Sequence, residues 1–392
     1  MRINNRYSGL VRSGALALGI AAACGVPQSA VAGPDFQFGD EGYLQINYAL
    51  QIWAQNRGYT SSTDDGDVWD TFLRRNRITF TGQYNDYVGF YAQLEAGSDS
   101  KGGNNDRAVF YRDAYITLDY SDPVRFIVGR FKNTFSRENL EACLEPLTLD
   151  RGELLPYTPF GGTRDTGVVM WGNLADAMFQ YRLMVSDGRE GDEVVTDSPR
   201  LTARVHASLL DPEYSYGYRG TYLGTQKVLT IGAAYDAQAD VAYGDYTART
   251  DPKDYKAATY DVFFEYPYSF GTITASAAWF DYSVDGFPTI PDPLLTPLVE
   301  REGTYAKVGY LLPEPVGMGR LQLFARAENT EYGTGTGLSD QKWTSAGANY
   351  YINGQTLKVT LEHAMVEFDQ EDPVDPSKQD YTQTTLGLQM IF

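Results

Sequence analysis

The chain has 392 residues, among them 30 Tyr, 19 Phe, 5 Trp and 39 Gly, and carries 32 basic against 51 acidic residues for a formal net charge of −19. Its 43 % apolar content excludes a disordered chain, and no uncharged run beyond the N-terminus reaches the ~18 residues of a spanning helix. The acidity argues against a nucleic-acid partner, and two cysteines, Cys24 and Cys143, supply neither a disulfide framework nor a thiolate metal site.

Residues 1–32 place Arg2, Arg6 and Arg12 before an apolar run from Gly14 to Val26, then Ala30-Val31-Ala32. That order of basic, apolar and small residues is a secretory signal, too short to span a bilayer. The competing reading, a lipid anchor at Cys24, lacks a large aliphatic residue in Ala21-Ala22-Ala23. The expected division is a signal peptide over 1–32 and a single domain over 33–392. Without the three leader arginines the net charge is −22, from 29 basic and 51 acidic residues.

From there the hydropathy alternates with a period of two, the pattern of half-buried strands. In 44–55, Leu44, Ile46, Tyr48, Leu50, Ile52 and Ala54 share one face, and Gln45, Asn47, Gln51 and Gln55 share the other. The pattern returns at 72–84, 87–97, 108–120, 124–132, 166–172, 177–186, 200–209, 227–236, 257–266, 271–281, 304–312, 319–329, 342–352, 355–366 and 382–392. Sixteen strands result, most near the 9–11 residues that cross a bilayer at a tilt. Short turns such as Asn85-Asp86, Asp122-Pro123 and Asn353-Gly354 alternate with long polar connections at 56–71, 133–165, 237–256, 282–303 and 367–381. This asymmetry predicts an all-β fold, a transmembrane antiparallel barrel with both termini in the periplasm. The segment 210–226 breaks the rule by being long on the short side. A soluble β-sandwich fits the alternation too, but not the leader or the ending Leu386, Leu388, Met390, Phe392 on one face. A terminal aromatic, Phe392, resembles the signal read by the barrel assembly machinery.

Several segments carry a family likeness. Phe131-Lys132-Asn133-Thr134-Phe135-Ser136-Arg137-Glu138-Asn139-Leu140 resembles the F-K-x-P-F-S-x-E-x-L stretch of the phosphate-selective porin O and P family, with Thr134 at the usual Pro. Arg164-Asp165-Thr166-Gly167-Val168 is similar to its R-D-x-G-V, and Gly309-Tyr310-Leu311-Leu312 and Asn349-Tyr350-Tyr351-Ile352-Asn353-Gly354 extend the match. The resemblance implies a sixteen-stranded, usually trimeric outer-membrane channel. It also implies that 133–165 folds inward as a constriction loop. That segment is too long for a simple hairpin, and it holds Lys132, Arg137, Glu138, Glu141, Glu145, Asp150, Glu153, Arg164 and Asp165 at or within its ends.

If the apolar faces meet lipid, the opposite parity lines the lumen with Arg75, Arg77, Arg182, Arg204, Lys307, Arg326 and Lys358. Glu95, Asp113, Asp119, Asp261, Glu265, Glu328 and Glu362 share that parity. A ring of cations at similar depth lowers the barrier to anions; alternatively, each arginine pairs with a carboxylate and holds the wall and inner loop together. Cys143 reads as a small buried apolar residue. Enzymatic chemistry has little support: the only histidines are His206 and His363, and His206 with Ser208 is ordinary strand alternation. No C-x-x-C-H is present for haem, no cofactor is expected, and a metal at the acidic Asp64-Asp65-Gly66-Asp67 stays unassigned. Two readings remain. One is a diffusive channel for small polar or anionic solutes, embedded in outer-membrane lipid and lipopolysaccharide as a homotrimer. The other is a structural or surface-binding barrel, an adhesin or a sheath for an electron-transfer partner.

Overall fold

The computed structural model describes residues 33–59, 67–96, 108–152, 163–190, 194–285, 300–333, 338–370 and 379–392. The expected signal peptide therefore lies outside the described residues, as do Glu153, Asp64, Asp65 and Gly66. Among the described residues seventeen strands appear in chain order. A short β1 (Asp35–Phe38) leads into β2 (Gly42–Tyr59), β3 (Asp67–Gln83), β4 (Val88–Ala96), β5 (Val109–Ser121), β6 (Val124–Lys132), β7 (Arg164–Leu174) and β8 (Phe179–Ser186). There follow β9 (Arg200–Ser208), β10 (Val228–Asp245), β11 (Thr250–Tyr268), β12 (Gly271–Val284), β13 (Arg301–Leu311), β14 (Arg320–Tyr332), β15 (Gln341–Asn353), β16 (Leu357–Phe368) and β17 (Tyr381–Ile391). β1 pairs only along β2, with Phe36 opposite Leu44.

Strands β2 to β17 form a closed antiparallel barrel of sixteen, sealed where β17 runs beside β2 with Leu388 opposite Ile52. Closure matters physically, because in a bilayer no water is available to satisfy a free sheet edge. Every sequence-predicted strand is present in the expected order. Outward positions carry half-exposed apolar side chains such as Ile78, Leu183, Val205, Leu361 and Leu386, while their neighbours in sequence are buried and mostly polar. The inside-out character comes from that parity. One expected loop is strand instead: in 237–256, β10 runs to Asp245 and β11 starts at Thr250. Val241, Ala242 and Tyr255 there pack with Phe280 and Tyr282 in an apolar cluster, which the surrounding acidic residues mask in the sequence.

Register shifts interrupt five of the described strand pairs, and two of them put an arginine out of the expected parity. In β3 the register skips between Gln51 and Ile52, leaving Arg74 as an extra residue, so Phe72 and Arg75 both point inward. In β5 the skip between Gln93 and Leu94 does the same for Arg112. Neither arginine is assigned to the interior by simple alternation.

Candidate functional site

Among the described residues two segments enter the barrel. The first is the inner loop that leaves β6. Asn133 Oδ1 accepts from the Phe135 amide at 2.8 Å, and a one-turn helix α1 (Arg137–Leu140) is capped by Ser136 Oγ accepting from the Asn139 amide at 3.0 Å. Residues 133–152 are then buried throughout, crossing from β6 to the opposite wall. Lys307 on β13 donates to Glu138, which also accepts from the Gly152 amide. Leu147 lies over Gly309, whose missing Cβ leaves room for it. Asn349 donates to the Leu147 carbonyl at 2.8 Å, and Leu149 packs in one cluster with Trp53 and Phe72. Asp150 then takes Arg74 at 2.6 Å and Arg75 at 2.8 Å.

The second segment, 209–227, is the long connection on the side of the short turns, and it folds inward too. Its Glu213 accepts two hydrogen bonds of 2.8 Å from Arg137 and one from Tyr222. Burial alone would raise the Glu213 pKa, but Arg137 outweighs it and holds the carboxyl at about 2. Tyr218 Oη accepts from Arg182 at 2.9 Å and from Arg204 at 3.2 Å, and lies 2.6 Å from His206 Nδ1. His206 is thus tied to Tyr218, and His363 contacts Thr384 on an exposed face.

The cations expected to form a ring are mostly paired. Arg77 grips Glu95 through two bonds of 3.0 and 3.2 Å, Arg204 grips Asp261 at 2.6 and 2.9 Å, and Arg326 meets Glu328 at 3.1 Å. Lys307 and Arg75 hold the inner loop through Glu138 and Asp150. Arg182 is spent on Tyr218 and the Tyr216 carbonyl, and Lys358 donates to Gln355 at 3.0 Å. Of the loop set, Arg164 forks onto Asp113 with two bonds of 3.1 Å, Asp165 meets Ser186 and Arg200, and Glu145 meets Arg219 at 3.1 Å. Lys132 Nζ donates to the Glu141 carbonyl at 2.6 Å. Burial raises the Glu141 carboxyl to about 7; Lys307 opposes the rise and Glu138 adds to it.

Among the described residues the buried charged side chains number twelve basic and thirteen acidic, so their excess of acid lies on the less buried positions. Asp119 is half-buried near the turn end, against Arg125. Cys143 is buried, yet its surroundings are not apolar. Arg77 Nη1 donates to its Sγ at 2.8 Å, and although burial opposes ionisation, Arg77, Arg75 and Lys132 bring the thiol well below its ordinary pKa. Alternation could not reveal this, since its cationic neighbours come from strands far away in sequence.

Beside the inner loop a cavity runs along the β2–β7 wall. Its polar lining includes Arg77, Lys132, Arg164, Asp113 and the Cys143 sulfur, and its apolar side is made by Tyr91, Tyr115, Phe131 and Tyr216. Of the seven wall cations expected from sequence, Arg77 borders this space. No group of three or more potential metal ligands is found among the described residues.

A sequence model of the family described as "Phosphate-selective porin O and P" matches residues 46–392. No curated protein sequence matches the chain. Among solved structures the barrel is similar to OmpF of Salmonella typhi in complex with daunomycin, at 14 % identity and TM-score 0.57, over 92 % of this chain and 100 % of that one. It is similar also to the channel DcaP of Acinetobacter baumannii, at 15 % identity and TM-score 0.55, with 92 % and 100 % covered. A loop-deleted OmpT of Vibrio cholerae aligns at 12 % identity and TM-score 0.55 over 90 % and 100 %.

Proposed function

The chain belongs to the phosphate-selective porin O and P family of outer-membrane channels, and we propose that it passes small hydrophilic solutes by diffusion, with a weak preference for anions that extends to small oxyanions. The observation that carries this reading is the charge around the cavity on the β2–β7 wall, three cations against one carboxylate. Two of the three, Arg77 and Arg164, carry carboxylate partners. Lys132 donates to a carbonyl and has no carboxylate within salt-bridge distance among the described residues. Fixed cations at a narrow, partly dehydrated passage lower the entry barrier for an anion. A phosphate-specific site would call for several cations free of carboxylates, whereas Arg75, Arg204, Lys307 and Arg326 are all paired.

We place the short turns in the periplasm, cleavage of 1–32 on export, and residues 133–165 as the constriction. A homotrimer is supported by a similar OmpT structure described as a trimer form. The reading as a structural or surface-binding barrel draws on a different observation, the extent to which the two inward segments fill the interior. Conductance of the folded, purified chain in a planar bilayer, with swelling of liposomes in small sugars, separates the two. Discrete conducting steps and swelling support diffusion; their absence in a folded barrel favours the structural reading.

A further inference from the structure

The two inward segments are joined to each other as well as to the wall. The Ala142 amide donates to the Tyr218 carbonyl at 2.8 Å, the Tyr218 amide to the Leu140 carbonyl at 3.3 Å, and the Gly220 amide to the Glu145 carbonyl at 3.0 Å. Glu141 and Tyr218 thereby form a parallel bridge inside the barrel. Beneath it, the Arg137 guanidinium is wholly buried, forked onto Glu213 and stacked over the rings of Phe263 at 3.9 Å and Tyr218 at 4.4 Å. Thr230 adds a 2.7 Å bond to Glu213. The far side of 209–227 is fixed to the wall: Glu265 accepts from Thr221, Tyr222 and Gly224, and Arg320 donates to the Leu223 carbonyl. The contact is also close. A Cβ on Gly220 would fall 2.5 Å from the Leu147 backbone nitrogen and 2.6 Å from a Glu141 carboxylate oxygen.

We infer that 209–227 is a clamp on the inner loop, in which Glu213 is a positioning residue that holds the loop, through Arg137, against the lumen and so sets the free cross-section. Arg137 is the one basic residue of the helical turn that opens the loop, and Glu213 is its carboxylate partner, so losing Glu213 leaves a buried cation unpaired. The loop then gains by swinging away from the wall segment. Cys143, six residues on from Arg137, is buried and follows Ala142, whose amide makes the bond to Tyr218, so it reports that motion.

The inference rests on the channel reading only for its consequence in cross-section, so two readouts are used. The first is the rate at which a maleimide labels Cys143, located by peptide mapping, in the folded full-length chain; the second is single-channel conductance. Glu213→Gln and Gly220→Ala are both expected to raise labelling at least about tenfold, since each opens the contact by a different route, and to raise conductance. Asp211→Asn, on the same segment but exposed and with its side chain bonded to the Lys227 amide, is expected to leave both unchanged. If Glu213→Gln does not fold, Gly220→Ala decides. Labelling at the wild-type rate in the folded variants, or equal labelling in Asp211→Asn, overturns the clamp. Silence of every variant in the bilayer overturns the channel reading instead, and the labelling ratio still decides the clamp.

Discussion

Glu141 makes the inner loop sensitive to pH in a direction that can be worked out. Its carboxyl is buried beside Gly220, faces Glu138, Lys307, Arg137 and Arg151, and has one oxygen without a hydrogen-bond partner. Folded, it titrates at about 7 against an ordinary 4.5. The folded chain therefore holds a proton that the unfolded chain has already released between these values, and unfolding in that window releases it. Stability is fully present below pH 4.5 and falls as the pH rises through 7. The size follows from the same shift: roughly two and a half pKa units at 1.36 kcal/mol each give a loss of about 3 kcal/mol. Glu141→Gln keeps the shape of the protonated acid and cannot ionise. Urea unfolding of the barrel in lipid vesicles, followed by tryptophan fluorescence, should place variant and wild type together near pH 4.5. By pH 8 the variant should be the more stable by about 3 kcal/mol. Parallel pH profiles for the two proteins would mean instead that Glu141 is solvated and ionised like any surface carboxylate.

Leu149→Ala should cost about 2–5 kcal/mol by leaving a cavity against Trp53 and Phe72, read as a lower temperature of the heat-induced shift in gel mobility. Phe392→Ala should reduce the amount of folded barrel in outer-membrane fractions, since Phe392 ends the lipid-facing row and packs on Tyr48 at 5.5 Å between ring centres; normal levels would show the terminal signal to be misread. A tag near Asp285 should be labelled on intact cells and one at Gly354 should not, and labelling at Gly354 would invert the topology.

The wall of the barrel is legible in the sequence because strand parity is a local property. Leu44 to Gln55 declare both faces of β2 within twelve residues, and the same rule recovers the other fifteen strands. Parity fails at Arg74 and Arg112, where a bulge inserts one residue and no local pattern announces it. The interior is less legible, since its partners are remote: Glu138 and Lys307 lie 169 residues apart and Arg75 and Asp150 lie 75 apart. Sequence narrows the lumen arginines to two alternatives, free ring or paired wall, and only the fold shows that most are paired. The length of 210–226 marks it as an exception to the turn rule. Its entry into the lumen depends on Tyr216, Tyr218 and Glu213 finding Trp171, Arg182 and Arg137, contacts that no spacing encodes. Cys143 likewise takes its polarity from Arg77, 66 residues away.

Local charge at the cavity, rather than the charge of the whole chain, is expected to set the ion preference of the channel. Exposed acidic residues are screened beyond ~8 Å in physiological salt, so the −22 of the expected mature chain should count for little beside Arg77, Lys132 and Arg164 at the cavity wall. The direct measurement is the reversal potential of the reconstituted protein in a potassium chloride gradient, for the wild type and Lys132→Met. The wild type should reverse on the chloride side of zero and Lys132→Met should be displaced towards the potassium side, as local control of selectivity requires. A wild-type channel that prefers potassium, or a variant indistinguishable from the wild type, would contradict it.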